Sequence, residues 1–384
     1  MKVAITGAQA VAHAMRQINP DVVAVFPITP QTEIMMQFAE FHADGEVDTE
    51  LIRVESEHSA MSCTVGASAA GARAMTATSS AGLALMWEIV GVASGSRLPI
   101  VMPVVNRAIS APINIHCDHS DAMGARDLGW VQIFCEYAKE AYEITLMAVK
   151  IAEKLMLPVM VCQDGFISSH GTQNVELLQD QQVKDFVGEY KPNKYLLNTD
   201  DPVTMGPLQL QDYFFETQKQ RADAMGDAQR VYLEVGNELS KITGNDYGVL
   251  ECYHCDDAEA VIVVMSSTAG NAKAVVTKMR EQGKKVGVIK LRLFRPFPYK
   301  DMSNILKDKK YVAVLDRSES FGANPPIFGE VKSSLYEMAQ KPKIKSYVFG
   351  LGGRNIYESD IEEVYNQLLS GEFNSLEQGY IGVR

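Results

Sequence analysis

Two kinds of apolar pattern alternate along the chain. Short runs rich in Val and Ile read as strands, and longer segments with apolar residues every three or four positions read as helices. The pattern predicts strands near Val22–Phe26, Leu51–Val54, Ala74–Thr78, Ile100–Val105 and Pro158–Cys162. Between them it predicts helices near Gln31–Phe41, His58–Ala72, Gly82–Ser94 and Ala138–Leu155. The opening residues, MKVAITGAQAVAHAM, lack the long apolar block of a signal peptide and read as a strand and helix. Alternation of this kind implies a mostly parallel sheet covered by helices on both faces. Ligands of such sheets bind beyond the carboxyl ends of the strands. The turns after Phe26, Val54, Thr78 and Val105 are therefore where chemistry is expected.

From about residue 165 to 248 the alternation lapses. This stretch reads as a long connection without strands, crossing a surface and ending in one amphipathic helix from Tyr213 to Thr243. A second α/β unit begins near Glu251. AVIVVM, VGVIKLRLFRPFP (halted by Pro296 and Pro298), YVAVLD and SYVFG read as its strands, and Glu358–Leu369 as its last helix. The expected fold class is α/β with two parallel-sheet domains, residues 1–250 and 251–384.

Composition narrows the function. The 384 residues, 46% hydrophobic and 22% charged, suit a soluble globular protein of two domains. The balance of 36 basic and 48 acidic residues gives −12 with no dense basic run, which argues against nucleic acid. No apolar run reaches the roughly 18 residues that span a bilayer, so a cytoplasmic location is expected. The six cysteines are too dispersed for a disulfide framework. Only Cys252 and Cys255 form a CxxC, read either as a metal or redox pair or as two thiols at a domain entry. An iron–sulfur cluster needs four thiolates at tighter spacing.

The chemistry concentrates at three turns. Glu57, in VESEHSA, opens a helix, where a carboxylate is favoured by the helix dipole. It reads as a plain first-turn acid or as a functional one. A carboxyl in an apolar site keeps its proton more readily and can share it with a ring nitrogen of an aminopyrimidine, the activation step of thiamine diphosphate. Glu55, two residues earlier on the strand, points to the opposite face. The helix after Glu57, HSAMSCTVGASAAGA, is made of small residues and suits either a tight core or a crowded interface. Thr29 lies in the PITP turn. Arg107, in VVNRAIS, is a surface arginine or the partner of a small carboxylate. The loop INIHCDHSD reads as a polar cover over a pocket more readily than as a metal site. GLGG at Gly350–Gly353 reads as a glycine turn. No GDG with an Asn some 25–30 residues on is present, the usual magnesium–diphosphate loop of thiamine enzymes. A bound cofactor would need another polypeptide for its phosphate end.

The order FPITP, VESEHSA…GASAAGARAMTATSSAGLALM and LPIVMPVVNRAISAPINIHCDHSDAM resembles the α subunit of pyruvate:ferredoxin oxidoreductases, a 2-oxoacid:ferredoxin oxidoreductase family. IKLRLFRPFP, LDRSESFG and FGLGGRNI follow in family order, so the resemblance covers essentially the whole chain. It implies a pyrimidine-binding thiamine diphosphate domain up to about 250 and a transketolase C-terminal-like domain after it. It further implies a β subunit holding magnesium and the diphosphate, γ and δ subunits completing the complex with δ ferredoxin-like, iron–sulfur clusters in the partner subunits, and ferredoxin as electron acceptor. By the same resemblance Glu57 is the cofactor-activating acid, while Thr29 and Arg107 contact pyruvate and the intermediate. The implied reaction converts pyruvate and coenzyme A to acetyl-CoA and carbon dioxide. Use of 2-oxoglutarate or a branched-chain 2-oxoacid, or a non-catalytic scaffold role, are the alternatives.

Overall fold

A computed structural model describes residues 2–384. Its elements begin with β1 (Lys2–Ile5), α1 (Gly7–Ile18), β2 (Val22–Val25), α2 (Thr32–Ala43), β3 (Glu50–Arg53), α3 (Glu57–Ala69) and β4 (Ala74–Met75). They continue with α4 (Ser80–Leu85), α5 (Trp87–Gly95), β5 (Val101–Asn106), α6 (Ser120–Gly124), β6 (Val131–Cys135), α7 (Ala138–Leu155) and β7 (Val159–Asp164). Next come β8 (Gln173–Glu176), α8 (Asp180–Val187) and the long α9 (Phe214–Thr243). The later part holds β9 (Leu250–Tyr253), β10 (Ala260–Met265), α10 (Thr268–Glu281), β11 (Val286–Leu291), β12 (Leu293–Arg295) and α11 (Tyr299–Leu306). It closes with β13 (Tyr311–Asp316), α12 (Pro326–Ser334), β14 (Lys343–Phe349), α13 (Glu358–Ser370) and β15 (Gly379–Ile381).

The first large sheet has the order β12-β6-β7-β5-β4-β2-β3, parallel throughout except for β12. The second has the order β15-β14-β13-β10-β11-β9, with only β9 antiparallel. β1 and β8 make a separate antiparallel ribbon. Strands β5, β7, β10 and β11 are buried at every position. Helices cover both faces of such strands, so their sequences run apolar without alternating. α1 starts on a reciprocal cap, Thr6 accepting from the Gln9 amide while the Gln9 side chain accepts from that of Thr6. It stops at Asn19, whose φ of 49° lies in the left-handed region.

The structure departs from the sequence pattern in four places. Strand β6 was hidden by the polar Gln132, its second residue, whose buried amide donates to the Ala122 carbonyl at 2.8 Å. The helix expected over Gly82–Ser94 is two, α4 and α5, meeting at Met86. Gly82, Gly91 and Gly95 are weak helix formers and do little to keep one axis continuous. The connection after residue 165 contains β8 and α8 besides the expected long helix. Finally, VGVIKLRLFR is not one strand. It breaks at Arg292, and the following residues, as β12, leave the second sheet to pair with β6 of the first.

That break is held by buried charge. Glu136 and Glu140 beside β6, Glu251 on β9, Lys273 on α10, and Lys290 and Arg292 at the end of β11 form one network. Lys290 lies 2.7 Å from Glu136, 3.0 Å from Glu140 and 2.8 Å from Glu251. Arg292 binds Glu140 at 2.5 Å and Glu251 at 3.0 Å, and Lys273 bridges Glu136 and Glu251. Three acids meet three bases, so the cluster is neutral. Around it one apolar cluster spans both sheets, with Trp130, Phe134 and Met160 packed among Val263, Phe294 and Phe297. Burial works against a charged Glu251, yet the Lys290 and Lys273 ammonium groups outweigh it and hold its carboxyl down at about 2. Its contribution is therefore present above the ordinary carboxyl range and lost as pH falls from about 4.5 toward 2. Glu251→Gln should destabilise the fold by about 1–3 kcal/mol at pH 7, allowing for the half-exposed carboxylate. Denaturation midpoints should show that gap closing as pH approaches 2. A gap that stayed constant with pH would contradict the charge argument.

Candidate active site

Strands β7, β5, β4, β2 and β3 are neighbours in that order, and their carboxyl ends open on one edge. The turns singled out in the sequence therefore meet there. Ser56 caps α3 by accepting from the Ser59 amide at 3.2 Å, which sets Glu57 in the first helical turn. Glu57 is buried, 8% exposed, and no described residue donates a hydrogen bond to its carboxylate. Glu55 is exposed and bonded to the Ser59 hydroxyl, which lowers its pKa. It plays no part in the pocket.

What lies against Glu57 is chosen for absence of bulk. A Cβ on Gly82 would come within 2.8 Å of the Glu57 Cγ and Oε1 and within 2.5 Å of Thr78 Oγ1. The hydroxyls of Thr78 and Ser79 beside it are buried and also lack partners. A carboxyl group and two hydroxyls with unspent hydrogen-bonding capacity in an apolar wall are unusual in a finished core. They suit a small polar ring that brings its own donors and acceptors.

Asp121 ties this corner to Arg107. Its carboxylate accepts from the Ser80 amide at 2.9 Å, the Arg107 amide at 3.0 Å, the Ala122 amide at 2.7 Å and the Asn106 side chain at 2.9 Å. Burial pushes its pKa up to about 6 against the pull of these four donors. Arg107, itself buried, donates from Nη1 to the Thr29 carbonyl at 2.9 Å and from Nε to the Asn114 carbonyl at 3.0 Å. Its Nη2 remains free for a ligand. Thr29 is exposed, its backbone oxygen engaged by Arg107. Glu57, Thr29 and Arg107 thus share one rim, joined through Gly82, Ser80 and Asp121.

The second sheet reaches this rim from the other side. Asn114 donates to the Gly352 carbonyl at 3.0 Å, and the Gly353 amide donates to Cys117 at 2.7 Å. Gly352 and Gly353 have φ of 58° and 79°, and a Cβ on Gly353 would collide with His116. The GLGG turn therefore clamps the loop that carries Arg107, a role its sequence alone did not reveal. Deeper in, Asp164 at the end of β7 receives His119 at 2.7 Å, Arg317 at 3.2 Å and the Ser267 amide at 3.2 Å. Burial opposes its charge, but Arg317 and His119 prevail and hold the carboxyl well below the usual range. Cys117, His119 and Asp164 converge within 4.8 Å. The Arg317 guanidinium already supplies the cation for that cluster. A cleft of about 570 Å³ lined by Trp87, Ile109, Asp121 and Phe321 opens beside the rim.

Two family descriptions match the chain. Pyruvate flavodoxin/ferredoxin oxidoreductase, thiamine diphosphate-binding, covers residues 13–237, and pyruvate:ferredoxin oxidoreductase core domain II covers 258–361. The chain belongs to this oxidoreductase family. It is 55% identical to the pyruvate synthase subunit PorA of Thermotoga maritima, over 100% of this chain and 98% of that one. It is 44% identical to the namesake subunit of Methanocaldococcus jannaschii, over 97% and 96%. The ketoisovalerate oxidoreductase subunit VorA of Pyrococcus abyssi is 42% identical, over 95% and 92%. Among solved structures, a 2-oxoglutarate:ferredoxin oxidoreductase from Magnetococcus marinus superposes with a TM-score of 0.74 at 21% identity. That alignment takes in 96% of this chain and 65%, just under two thirds, of the other. A split-gene transketolase, described as an inactive β4 tetramer, gives 0.59 at 12% identity, over 96% and 99%. These two likenesses concern the fold, and they agree with the expected α/β class. The pair of parallel-dominated sheets carries a thiamine diphosphate-binding family domain.

Gly82→Ala should keep the fold while forcing the Glu57 carboxylate aside. Thiamine diphosphate-dependent activity of the assembled enzyme should fall by on the order of 100-fold, the scale of a 1 Å misplacement. An unaltered rate with an intact thermal transition would mean that Glu57 does not act from this position.

Proposed function

We propose that the chain is the α subunit of a pyruvate:ferredoxin oxidoreductase, converting pyruvate and coenzyme A to acetyl-CoA and carbon dioxide and delivering electrons to ferredoxin. The observation that carries this reading is 55% identity, over the full chain, with a pyruvate synthase subunit. In the family's terms, residues 1–250 are the pyrimidine-binding domain and 251–384 the transketolase C-terminal-like domain. A cytoplasmic location accords with the absence, among the described residues, of any helix long and apolar enough to cross a membrane.

The residues fit the cofactor at its pyrimidine end. When bound, thiamine diphosphate supplies an electron sink that lets the bond between keto and carboxyl carbons break. Glu57 would hold a proton at a nitrogen of the pyrimidine ring, and the lack of any competing donor leaves its carboxyl free to do so. The buried, unpartnered hydroxyls of Thr78 and Ser79 would be available to hydrogen-bond the ring. Arg107 orients the substrate carboxylate through Nη2, its other nitrogens being committed to Thr29 and Asn114. Thr29 hydrogen-bonds substrate from the facing turn.

The phosphate end belongs to a partner. We assign magnesium and the diphosphate to a β subunit, and the iron–sulfur clusters that pass electrons to ferredoxin to the partner β, γ and δ subunits rather than to this chain. The surface beside Glu57 supports a partner there. Gly66 on α3 and Gly91 and Gly95 on α5 have open space where a Cβ would stand. Each costs about 1 kcal/mol in a helix without a packing reason inside this chain. Leu85, Trp87 and Val92 are exposed on the adjoining turns. Close approach of another backbone explains both features.

Glu57→Gln should leave assembly intact by gel filtration and lower turnover by at least ~100-fold. Unchanged turnover would favour a scaffold role. Relatives acting on ketoisovalerate favour one rival substrate. Assays of the purified complex with pyruvate, 2-oxoglutarate and 3-methyl-2-oxobutanoate, coenzyme A and a viologen dye separate the readings. Preference for pyruvate supports the proposal, and preference for either of the others overturns the choice of substrate.

A further inference from the structure

The Cys252–Cys255 pair lies outside the site described above. Cys252 is exposed on β9, the edge strand of the second sheet, and Cys255 is buried beneath it. The turn between them is tight and pinned to the neighbouring strand. His254 takes a φ of 53°, and the turn presses on Gly287 of the neighbouring β11 so closely that a Cβ there would lie 2.5 Å from the His254 oxygen. Cys255 Sγ sits 3.3 Å from the Val288 carbonyl and 3.7 Å from that of Tyr253, and its titration is linked to that of Cys252. The Lys309 ammonium, almost buried, is held on the carbonyls of Cys255 and Asp256. It adds positive charge to the same spot.

A metal site does not account for this arrangement. Two thiolates fall short of a structural zinc set. His254, which could add a third ligand, instead packs its ring against Tyr253 at 4.5 Å. Among the described residues these groups form no convergent ligand cluster. The pattern is that of a reactive thiol with a second thiol behind it: one sulfur reachable, the other shielded, a cation close by.

We propose that Cys252 and Cys255 form a thiol–disulfide exchange site for small disulfides, with Cys252 attacking and Cys255 resolving. The Cys252 thiolate attacks one sulfur of the disulfide RSSR, forming a mixed disulfide and expelling RS⁻. Cys255 then gives up its proton, and its sulfur attacks Cys252 Sγ, closing the internal disulfide and releasing the second RS⁻. Two electrons and two protons leave the cysteine pair, and one small disulfide becomes two thiols. The acid–base order fits this sequence. The neighbouring Cys255 thiol leads the effects that lower the pKa of Cys252, against burial and the Asp256 carboxylate and with Lys309 helping. The neighbouring Cys252 together with burial raises that of Cys255.

The test uses the anaerobically purified complex and glutathione disulfide. Intact-mass measurement of this chain should show loss of two hydrogens in the wild type. Cys255→Ser should instead stop at one glutathionyl adduct on Cys252. Cys252→Ser should take up glutathione at least ~10-fold more slowly, because Cys255 is shielded. Alkylation of the wild-type chain by iodoacetamide, which needs no variant, should modify exposed Cys252 at least ~10-fold faster than shielded Cys255. A wild-type chain unchanged in mass, glutathione uptake by Cys252→Ser as fast as by the wild type, or alkylation of Cys255 as fast as that of Cys252 would each overturn the proposal.

Discussion

Burial of opposite charges where the two sheets meet is the constraint on which the rest depends. Asp164 ends a strand of the first sheet, and its ion pair with Arg317 and bonds from Ser267 draw the second sheet onto the same edge. The Glu136–Glu140–Glu251 and Lys273–Lys290–Arg292 network does the same behind it. Such clusters add little or no net stability compared with apolar replacements, but removing one partner leaves a bare charge in low dielectric. Their value is positional. They set where the GLGG turn lands, and that turn sets the loop bearing Arg107.

The rim itself is assembled from groups that other proteins would satisfy internally. Glu57, Thr78 and Ser79 face a space they do not fill, and Gly82 keeps that space open. Asp121 accepts from three backbone amides and the Asn106 side chain, and so holds the chain rather than a ligand. The division is between residues that build and residues that wait. The waiting ones lie on the side of the molecule where small helical residues and exposed Leu85 and Trp87 invite another chain.

Much of this was legible from residue order. Runs such as VMPVVN and AVIVVM are long enough and apolar enough to declare central strands, and the turns after them followed from topology alone. Glu57, Thr29 and Arg107 could be singled out because each sits just past such a run. What escaped were features that depend on distant partners. Strand β6 conceals a buried amide bonded across the fold, and β12 changes sheets because of acids 40 to 160 residues away in sequence. Asp164 and Arg317 look like ordinary strand-end polar residues until the sheets are juxtaposed. Asp121 was visible only as one member of a polar loop. The GLGG turn was read as conformational, which it is, though its conformation serves a contact with Asn114.

The exchange of β12 between sheets bears on how the molecule is made. Until Leu293–Arg295 has left the ribosome, β6 is an open edge on an otherwise finished sheet. Nascent chains with an unpaired central-type edge are prone to pair with one another. The amino-terminal half therefore cannot be released as an independently completed body during synthesis. It waits for a few residues encoded far downstream, and a truncated product ending before them would carry a permanently sticky border.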